Sequence, residues 1–256
     1  MEYINSKECL VKEVMDRGNS GGVYLPKSWV GQKVIIRPLS VNEYVMNTLS
    51  RHMKNIAGVY LYGSYARGEE VPDSDLDVLV VADKKLPVET ENGIDLEVVN
   101  ISEIKNMIRK DPVGYYSMIN EAKPILNEVL LSELQEVKLD TKNIKRYYKE
   151  TEEVLHIAKG LLELKGDPSG SIYSLILRLR GLYLTRCNLM NRRYTNQGLE
   201  DFIVKKGIDR DKYKKMYAVY RAKRDVRRLP SHKIPIKDVK ALYRTVKEVL
   251  NQMKNG

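Results

Sequence analysis

Cysteine is scarce in this chain of 256 residues, which contains only Cys9 and Cys187. The two lie far apart, and neither belongs to a spacing typical of a zinc site or a disulfide framework. Long apolar runs are also missing, since no window approaches the roughly 18 uninterrupted apolar residues of a transmembrane helix. The first ten residues, MEYINSKECL, lack the basic segment and apolar stretch of a secretion signal. We therefore expect a soluble protein of the reducing cytoplasm, without a membrane partner.

Internal repeats and low-complexity segments are absent as well, which argues against a solenoid or a disordered chain. Hydrophobic residues make up 43% of the sequence, enough to build a buried core. The length exceeds that of one typical domain and predicts two or three packed units. We place them at residues 1–40, 41–135 and 136–256. The expected fold class is α+β: a small N-terminal β segment, a mixed-sheet domain, and an all-α helical bundle.

Charge is distributed unevenly along the chain. Residues 1–140 contain 16 Lys and Arg against 22 Asp and Glu, a net charge of −6, whereas residues 141–256 contain 28 against 12, a net charge of +16. An acidic part suits metal ions, and a basic part suits the phosphates of a nucleotide or a nucleic acid. A solvated basic helical surface explains the second half equally well.

The N-terminal segment alternates short apolar and polar runs between glycines, which predicts small strands and turns over residues 8–39. The stretch GNSGGVYLPKSWVGQKVIIRP, Gly18 to Pro38, resembles the small AbrB-like β-hairpin modules. That resemblance implies pairing into dimers and, in many such modules, DNA binding. A module of about 30 residues rarely folds alone, so we expect it to form a homodimer or to dock on its neighbour.

The middle of the chain mixes helix and strand signals. A helix is predicted over 42–56, with Asn42 as its cap, and a second over 101–110, with Ser102 as its cap. Three short segments rich in β-branched and aromatic residues predict strands, at 58–62, 78–81 and 94–99.

From residue 141 onward the pattern predicts about five helices, with breaks at 166–168, Gly198, Gly207 and 229–230. In the second of them, an apolar face formed by Ile172, Leu175, Leu179 and their neighbours is typical of a helix buried in a bundle. The densest basic segment, YRAKRDVRRLP at 220–230, can contact a polyanion.

The most informative segment is LYGSYARGEEVPDSDLDVLVV, from Leu61 to Val81. An apolar strand leads into Gly63-Ser64, and Asp75-Leu76-Asp77 opens the next apolar strand. Because side chains alternate along a strand, Asp75 and Asp77 project together. Two adjacent carboxylates repel each other unless a cation lies between them, and Mg²⁺ prefers such hard oxygen ligands. Gly63, the amides of the turn and the Ser64 hydroxyl can bind a phosphate.

A third carboxylate is expected from the following strand, where Asp95 lies between Ile94 and Leu96. A carboxylate inside an apolar strand must be paired or metal-bound. Glu97 falls on the same face and competes for this role, although Asp95 is favoured because Glu97 lies further along the strand. Three carboxylates can hold two metal ions, one that activates the attacking group and one that stabilises the leaving pyrophosphate.

Gly63-Ser64, ten intervening residues, Asp75-x-Asp77 and Asp95 together resemble the minimal nucleotidyltransferases of the DNA polymerase β superfamily, over about residues 41–130. The resemblance implies transfer of a nucleoside monophosphate from a nucleoside triphosphate to an acceptor, with two Mg²⁺ ions or Mn²⁺ in their place. By position, Asp75, Asp77 and Asp95 would be catalytic metal ligands, and Asp95 would also help to deprotonate the acceptor. Gly63 and Ser64 would bind the triphosphate.

Arg67 is a further candidate for nucleotide binding, although a surface pairing with Glu69, Glu70 or Asp73 explains it equally well. The helical region resembles the C-terminal domains of kanamycin-type nucleotidyltransferases, chiefly around residues 173–198. The acceptor stays open among an RNA end, a protein and a small molecule. The alternative hypothesis is a nucleic-acid-binding or regulatory protein whose transferase fold is a catalytic relic, with nucleic acid as the partner of the basic C-terminal half.

Overall fold

The computed structural model describes residues 10–71, 74–87, 93–164 and 166–255. The chain divides into two compact units, the first 40 residues and the remainder from Val41 onward. No helix in the described ranges is long and apolar enough to cross a membrane. Because the mixed-sheet part and the helical part lie in one unit, the boundary near residue 135 stays a prediction.

The N-terminal unit contains little regular structure. Strand β1 (Met15–Asp16) pairs antiparallel with β2 (Gly21–Gly22), and a single 3₁₀ turn covers Lys27–Trp29. Large apolar side chains remain exposed along the segment, among them Val11, Val14, Tyr24, Val30, Ile35 and Ile36. A chain of this length buries too small a fraction of its surface to form a core of its own. The similarity to AbrB-like modules stays a prediction.

The second unit begins with a four-stranded mixed sheet. Its strands are β3 (Ile56–Leu61), β4 (Leu76–Ala82), β5 (Ile94–Asn100) and β6 (Lys123–Leu126), in the order β5-β4-β3-β6. Strand β3 pairs antiparallel with both β4 and β6, whereas β4 and β5 run parallel. As a result, the end of β3 lies on one side of the start of β4, and the start of β5 lies on its other side.

Helices cover both faces of this sheet, so both faces contribute to a core. Residues Leu76, Val78 and Val80 of β4 join the cluster that includes α1 (Val41–Leu49) and α2 (Gly63–Arg67). Leu79 and Val81 point the other way, into the cluster formed with α3 (Ile104–Lys110), α4 (Tyr115–Glu121) and α5 (Glu128–Gln135). This double burial explains why β4 is apolar at nearly every position and not only at alternate ones.

The remainder of the second unit is helical. Its helices are α6 (Thr141–Glu163), α7 (Ser169–Leu189), α8 (Asn196–Lys205), α9 (Arg210–Arg224) and α10 (Ile236–Asn255). Helix α7 packs against α6, α9 and α10, and its predicted apolar face is buried, with Ile172, Leu175 and Leu179 almost inaccessible to solvent. The predicted α+β class and the five C-terminal helices are therefore confirmed.

Three sequence signals for helix ends were wrong, and for Ser102 and Gly198 the reason is a different local hydrogen bond. Helix α1 begins at Val41, so Asn42 lies inside its first turn. Ser102 donates its hydroxyl to Asn100 Oδ1 at 2.7 Å, and α3 begins only at Ile104. Gly198 lies inside α8 because the Thr195 hydroxyl accepts its N–H at 2.9 Å and caps the helix.

Replacing Leu182 of α7 by alanine should lower the free energy of unfolding by about 2–5 kcal/mol, because the side chain is fully buried in the helical core. Leu177 lies on the same helix but is 41% exposed, so Leu177→Ala should cost less than about 1 kcal/mol. Urea unfolding of both variants measures the difference. Equal losses would show that α7 is not buried on the Leu182 side.

Candidate active site

Asp77 and Asp95 lie side by side at the start of two parallel strands. They are direct partners in the register of β4 and β5, and the side chains of such partners point to the same face. That face carries α3 and α4, while the neighbouring Leu76 and Ile94 point into the opposite core. Asp77 is half-buried and Asp95 is exposed. Two of the three predicted carboxylates are therefore brought together by sheet register alone.

Asp75 lies just before β4, exposed to solvent and two residues ahead of Asp77. Its charge reaches Asp77, because it contributes to the rise in the pKa of that carboxyl. Within the described residues, no group of three His, Cys, Asp or Glu side chains is arranged to hold a metal ion by itself. The structure therefore presents neighbouring carboxylates, not a closed three-ligand cage.

Gly63 follows β3 and is pressed against Asp77. Its φ of 70° lies in the left-handed region, and a Cβ at this position would lie 1.9 Å from Asp77 Oδ2. The neighbouring Tyr62 donates its backbone N–H to the carbonyl of Asp77 at 3.0 Å, which fixes the turn to the strand. A glycine is required here because the space that a side chain would fill is occupied by the Asp77 carboxylate.

The carboxyl of Asp77 has a pKa raised to about 6. Burial is the largest cause, and the charges of Asp95, Asp75 and Glu121 add to it, whereas Arg67 acts in the opposite direction. The described part of the site therefore concentrates more negative charge around Asp77 than its protein partners neutralise.

Glu97, the competing third carboxylate, has a protein partner. It accepts the hydroxyl of Tyr115 in α4 at 2.5 Å. Burial and this bond raise the pKa of Tyr115 above its usual value, so the phenol stays protonated and keeps donating. Asp95 makes no hydrogen bond to another described side chain. This difference favours Asp95 over Glu97 as the carboxylate available to a ligand.

Arg67 at the end of α2 is engaged by acidic side chains. Its side chain is 6% exposed, its Nη1 lies 2.9 and 2.7 Å from the two carboxylate oxygens of Glu121, and its Nε lies 2.9 Å from Glu69. Although burial lowers the pKa of Arg67, the two carboxylates outweigh it and raise that pKa. The predicted phosphate contact of Arg67 is untested, but the alternative pairing with Glu69 is present.

Glu121 was not singled out in the sequence, yet it holds the turn that carries Gly63 and Ser64. Besides Arg67, its carboxylate accepts the backbone N–H of Gly63 at 2.9 Å. The Gly63 amide is therefore already used, whereas the Ser64 hydroxyl makes no hydrogen bond to another described residue. Only the fold places Glu121 here, because it lies 58 residues from Gly63 along the chain.

The helical part of the unit reaches the same turn. Asn196 at the start of α8 donates its backbone N–H and its Nδ2 to the Glu69 carboxylate, at 2.8 and 2.9 Å. Arg193 donates to the carbonyl of Ala66 in α2 at 2.8 Å. Asn196 also escaped sequence analysis, and Glu69 was considered only as a partner of Arg67, since a Glu in a loop and an Asn at a helix start are common surface features.

The densest basic segment, 220–230, is partly neutralised within the helical region. Asp225 forms ion pairs with Arg221, Arg224 and Arg227, with N–O distances of 3.8, 2.6 and 4.0 Å. These three arginines therefore present less free charge to a polyanion than their sequence density indicates.

Comparison with known proteins places the middle of the chain in a family. Residues 43–133 match the family model described as Polymerase beta, Nucleotidyltransferase. A search of curated proteins gave no match.

Solved structures give further, more distant similarities. Spectinomycin adenyltransferase AAD(9) from Enterococcus faecialis, solved with ATP and spectinomycin, is 14% identical, with 82% of this chain and 96% of that chain covered and a TM-score of 0.41. A nucleotidyltransferase-like protein from Exiguobacterium sibiricum is 10% identical, with coverages of 83% and 75% and a TM-score of 0.38. A toxin-antitoxin structure with AMP-PNP is 16% identical, with coverages of 48% and 98% and a TM-score of 0.28.

These TM-scores are too low to support a functional argument, so the assignment rests on the family match. That match confirms the predicted superfamily and the predicted enzyme class of transferase. Over residues 43–133 the chain is therefore similar to the nucleotidyltransferase domains of the polymerase β family.

Proposed function

We propose that this protein transfers a nucleoside monophosphate from a nucleoside triphosphate to an acceptor and releases pyrophosphate, with a divalent cation as cofactor. The observation that carries the proposal is the register of Asp77 with Asp95, together with Gly63 packed against the Asp77 carboxylate. Sheet register forces the two charges together, and the turn that follows β3 lies directly beside them. This arrangement suits a site that must bind phosphates and cations at once.

The chemistry of these donors fits a divalent cation. The carboxylates around Asp77 outnumber the nearby cations, and the guanidinium of Arg67 is already paired with Glu121 and Glu69. Magnesium commonly uses one or two protein carboxylates and completes its shell with water and substrate phosphates, so a three-ligand cage is not required. We assign Asp75, Asp77 and Asp95 as the ligands of Mg²⁺, with two ions in the full site and Mn²⁺ as an alternative.

When bound, the cation would neutralise charge on the phosphates and on the carboxylates. The chain's own residues would do the remainder. Ser64 would donate its free hydroxyl to a phosphate oxygen, Gly63 would leave room for the Asp77 carboxylate, and Asp95 would accept the proton of the acceptor group. Arg67 would act through Glu121 on the position of the turn.

The proposed reaction is a substitution at the α-phosphorus. An acceptor oxygen or nitrogen forms the new bond to this phosphorus, and the bond to the oxygen that bridges the α- and β-phosphates breaks. The electron pair of the broken bond leaves with pyrophosphate, and the acceptor proton passes to Asp95 and then to solvent. The acceptor itself stays open among an RNA end, a protein and a small molecule, and ATP is the triphosphate that we would test first.

The N-terminal unit contributes, in this proposal, to assembly. Its exposed apolar side chains, including Val30, Ile35 and Ile36, are costly to leave in water, and pairing with the same segment of a second copy would cover them. We also place the protein in the cytoplasm, where the free thiol of the buried Cys187 would stay reduced.

A second candidate function, nucleic-acid binding, is favoured by a basic groove between α6 and α10. The groove has a volume of about 450 Å³ and is lined by Lys159, Leu162, Glu163, Lys237, Lys240, Tyr243 and Arg244. In the part of the chain that the structure describes, none of these four basic residues forms an ion pair. Cations on two helices that face one groove and form no ion pair are available to backbone phosphates. This surface could also recruit an RNA acceptor.

Asp77→Asn should lower the rate of nucleotidyl transfer by about 100-fold or more, because an amide cannot supply the charge that holds the cation and phosphates. Binding of the triphosphate should also lose its dependence on Mg²⁺, as measured by calorimetry with and without EDTA. Asp83→Asn, at the other end of β4 and exposed, is the matched control and should behave as the wild type. Unchanged transfer and binding in Asp77→Asn would rule out the proposed site.

Gly63→Ala should abolish Mg²⁺-dependent triphosphate binding, because the added Cβ must displace the Asp77 carboxylate. Gly68→Ala is the control, since Gly68 has nearly the same φ, 71°, but open space where its Cβ would lie. Both variants should lose about 1–2 kcal/mol of stability from the left-handed backbone. Only Gly63→Ala should lose binding, and equal binding by the two variants would contradict the assigned contact.

Lys240→Ala combined with Arg244→Ala should weaken binding of single-stranded RNA, and should make the slope of log affinity against log salt shallower by about 1 to 2. The control combines Lys206→Ala with Lys212→Ala, whose charges are already paired with Glu248 and Asp238. Fluorescence anisotropy across a salt series measures both effects. If the two double variants lose affinity equally, the groove has no specific part in binding.

A further inference from the structure

A continuous chain of charged contacts joins the helical region to the turn that carries Gly63 and Ser64. It begins at Asn196 on α8, passes through Glu69 to Arg67, and ends at Glu121, which accepts the Gly63 N–H. Each step is a hydrogen bond of 2.7–2.9 Å. At least one partner is ionised at every link, which makes these bonds stronger than neutral ones.

Arg67 is the centre of this series of contacts because its planar guanidinium offers donors in two directions. Nη1 faces Glu121 and Nε faces Glu69, so the two carboxylates approach different edges of the same group. Tyr194, which belongs to the helical region, lies against the guanidinium with the ring centroid 5.4 Å from Arg67 Cζ. A lysine has a point charge and no such fork, so it cannot make these contacts together.

Glu69 connects Arg67 to the helical region in a way that depends on docking. If α8 moves away, the Glu69 carboxylate loses both donors of Asn196, and if only the Asn196 side chain is removed, it loses the Nδ2 bond and keeps the backbone N–H. A second, parallel contact from Arg193 to the Ala66 carbonyl holds the same short helix. The position of α2 is therefore set from the helical side as well as from the sheet.

The other end of this series of charged contacts, at Glu121, lies within the proposed active site. Glu121 fixes Gly63 through its N–H, and Gly63 in turn is packed against Asp77 with no room for a Cβ. Because there is no room even for a Cβ between Gly63 and Asp77, a small shift of α2 would alter this contact. Charged and buried groups such as Arg67 move together with their partners because separating them is costly.

We propose that Glu69 and Asn196 are positioning residues that couple the docking of the helical region to triphosphate binding at Gly63, Ser64 and Asp77. The inference rests on the proposed nucleotidyl transfer. Neither residue touches the carboxylates of Asp77 or Asp95 in the described contacts. Their effect is transmitted through Arg67. An acceptor that rearranges α8 would thereby change the affinity for the nucleotide, and a bound nucleotide would change the affinity for the acceptor by the same factor.

The test compares Glu69→Gln and Asn196→Ala with their chain neighbours Glu70→Gln and Gln197→Ala, whose side chains do not reach Arg67. Calorimetry with Mg²⁺ and a non-hydrolysable triphosphate should show an affinity lower by about 5-fold or more in the first two variants. The double variant should lose no more than the larger single loss, because both changes break one link. Both controls should stay within about 2-fold of the wild type.

Hydrogen-deuterium exchange of the peptide around residues 63–67 gives a readout that does not require nucleotide. Its exchange should be faster in Asn196→Ala than in Gln197→Ala, while the thermal midpoints of the two variants stay within a few degrees of each other. Steady-state kinetics at saturating acceptor should show the loss mainly in the KM for the triphosphate and little in kcat. A residue that merely supports the fold would lower the thermal midpoint and leave KM unchanged.

The possible results separate this inference from the proposed function. If the wild type binds no triphosphate, the proposed function fails, and the exchange measurement alone decides whether the helical region holds α2. If the wild type binds and the Glu69 and Asn196 variants match their controls in affinity and exchange, the coupling is overturned. Losses that multiply in the double variant would also overturn it, because they would place the two residues in separate contacts.

Discussion

A half-buried carboxylate that faces a second carboxylate is the constraint on which this structure depends. Asp77 and Asp95 are paired by strand register, so neither can move away without breaking the central sheet. Burial and neighbouring charges raise the pKa of Asp77 to about 6. Sheet geometry thus builds a site with excess negative charge, which a divalent cation would relieve.

In the described part of the chain, Arg67 brings a positive charge to this region, and its contacts hold neighbouring residues in position. Arg67 lies close enough to lower the pKa of Asp77, yet its donors are directed at Glu121 and Glu69. Glu121 then holds the Gly63 amide, and Glu69 holds the start of α8. Arg67 was a candidate for phosphate binding from its position in the sequence. In the structure it forms part of the contact between the sheet and the helical bundle.

The uneven distribution of charge along the chain corresponds to the division between the sheet and the helical bundle. The acidic half contains the sheet and its carboxylates, and the basic half contains the bundle, where several arginines are neutralised by Asp225 and by acidic residues of α8. Four cations that form no ion pair among the described residues, Lys159, Lys237, Lys240 and Arg244, lie around one groove between α6 and α10. Net charge therefore overstates the basic surface that is open to a phosphate-rich partner.

The local pattern of the sequence determined much of the catalytic domain. Alternating side chains place Asp95 and Glu97 on one face of β5, and the apolar runs of β3, β4 and β5 identify buried strands, whereas the pairing of Asp77 with Asp95 needs the register of β4 against β5. The short strand β6 and the helices α4 and α5 had no such signal, because Lys123 to Leu126 is brief and contains a proline. Tertiary pairing with β3 gives it its structure.

Sequence by itself determined the fold class and the family motif, because these follow from spacing along the chain and from alternation within single strands, whereas the register of β4 against β5 decided that Asp77 and Asp95 face one another. Tertiary structure decided that Gly63 makes room for Asp77, that Arg67 pairs with Glu121 and Glu69, and that Asn196 reaches the same turn. The physical reason is distance along the chain: Glu121 lies 54 residues from Arg67, and Asn196 lies 127 residues from Glu69. No local pattern carries such contacts, since they form only when sheet and bundle pack together.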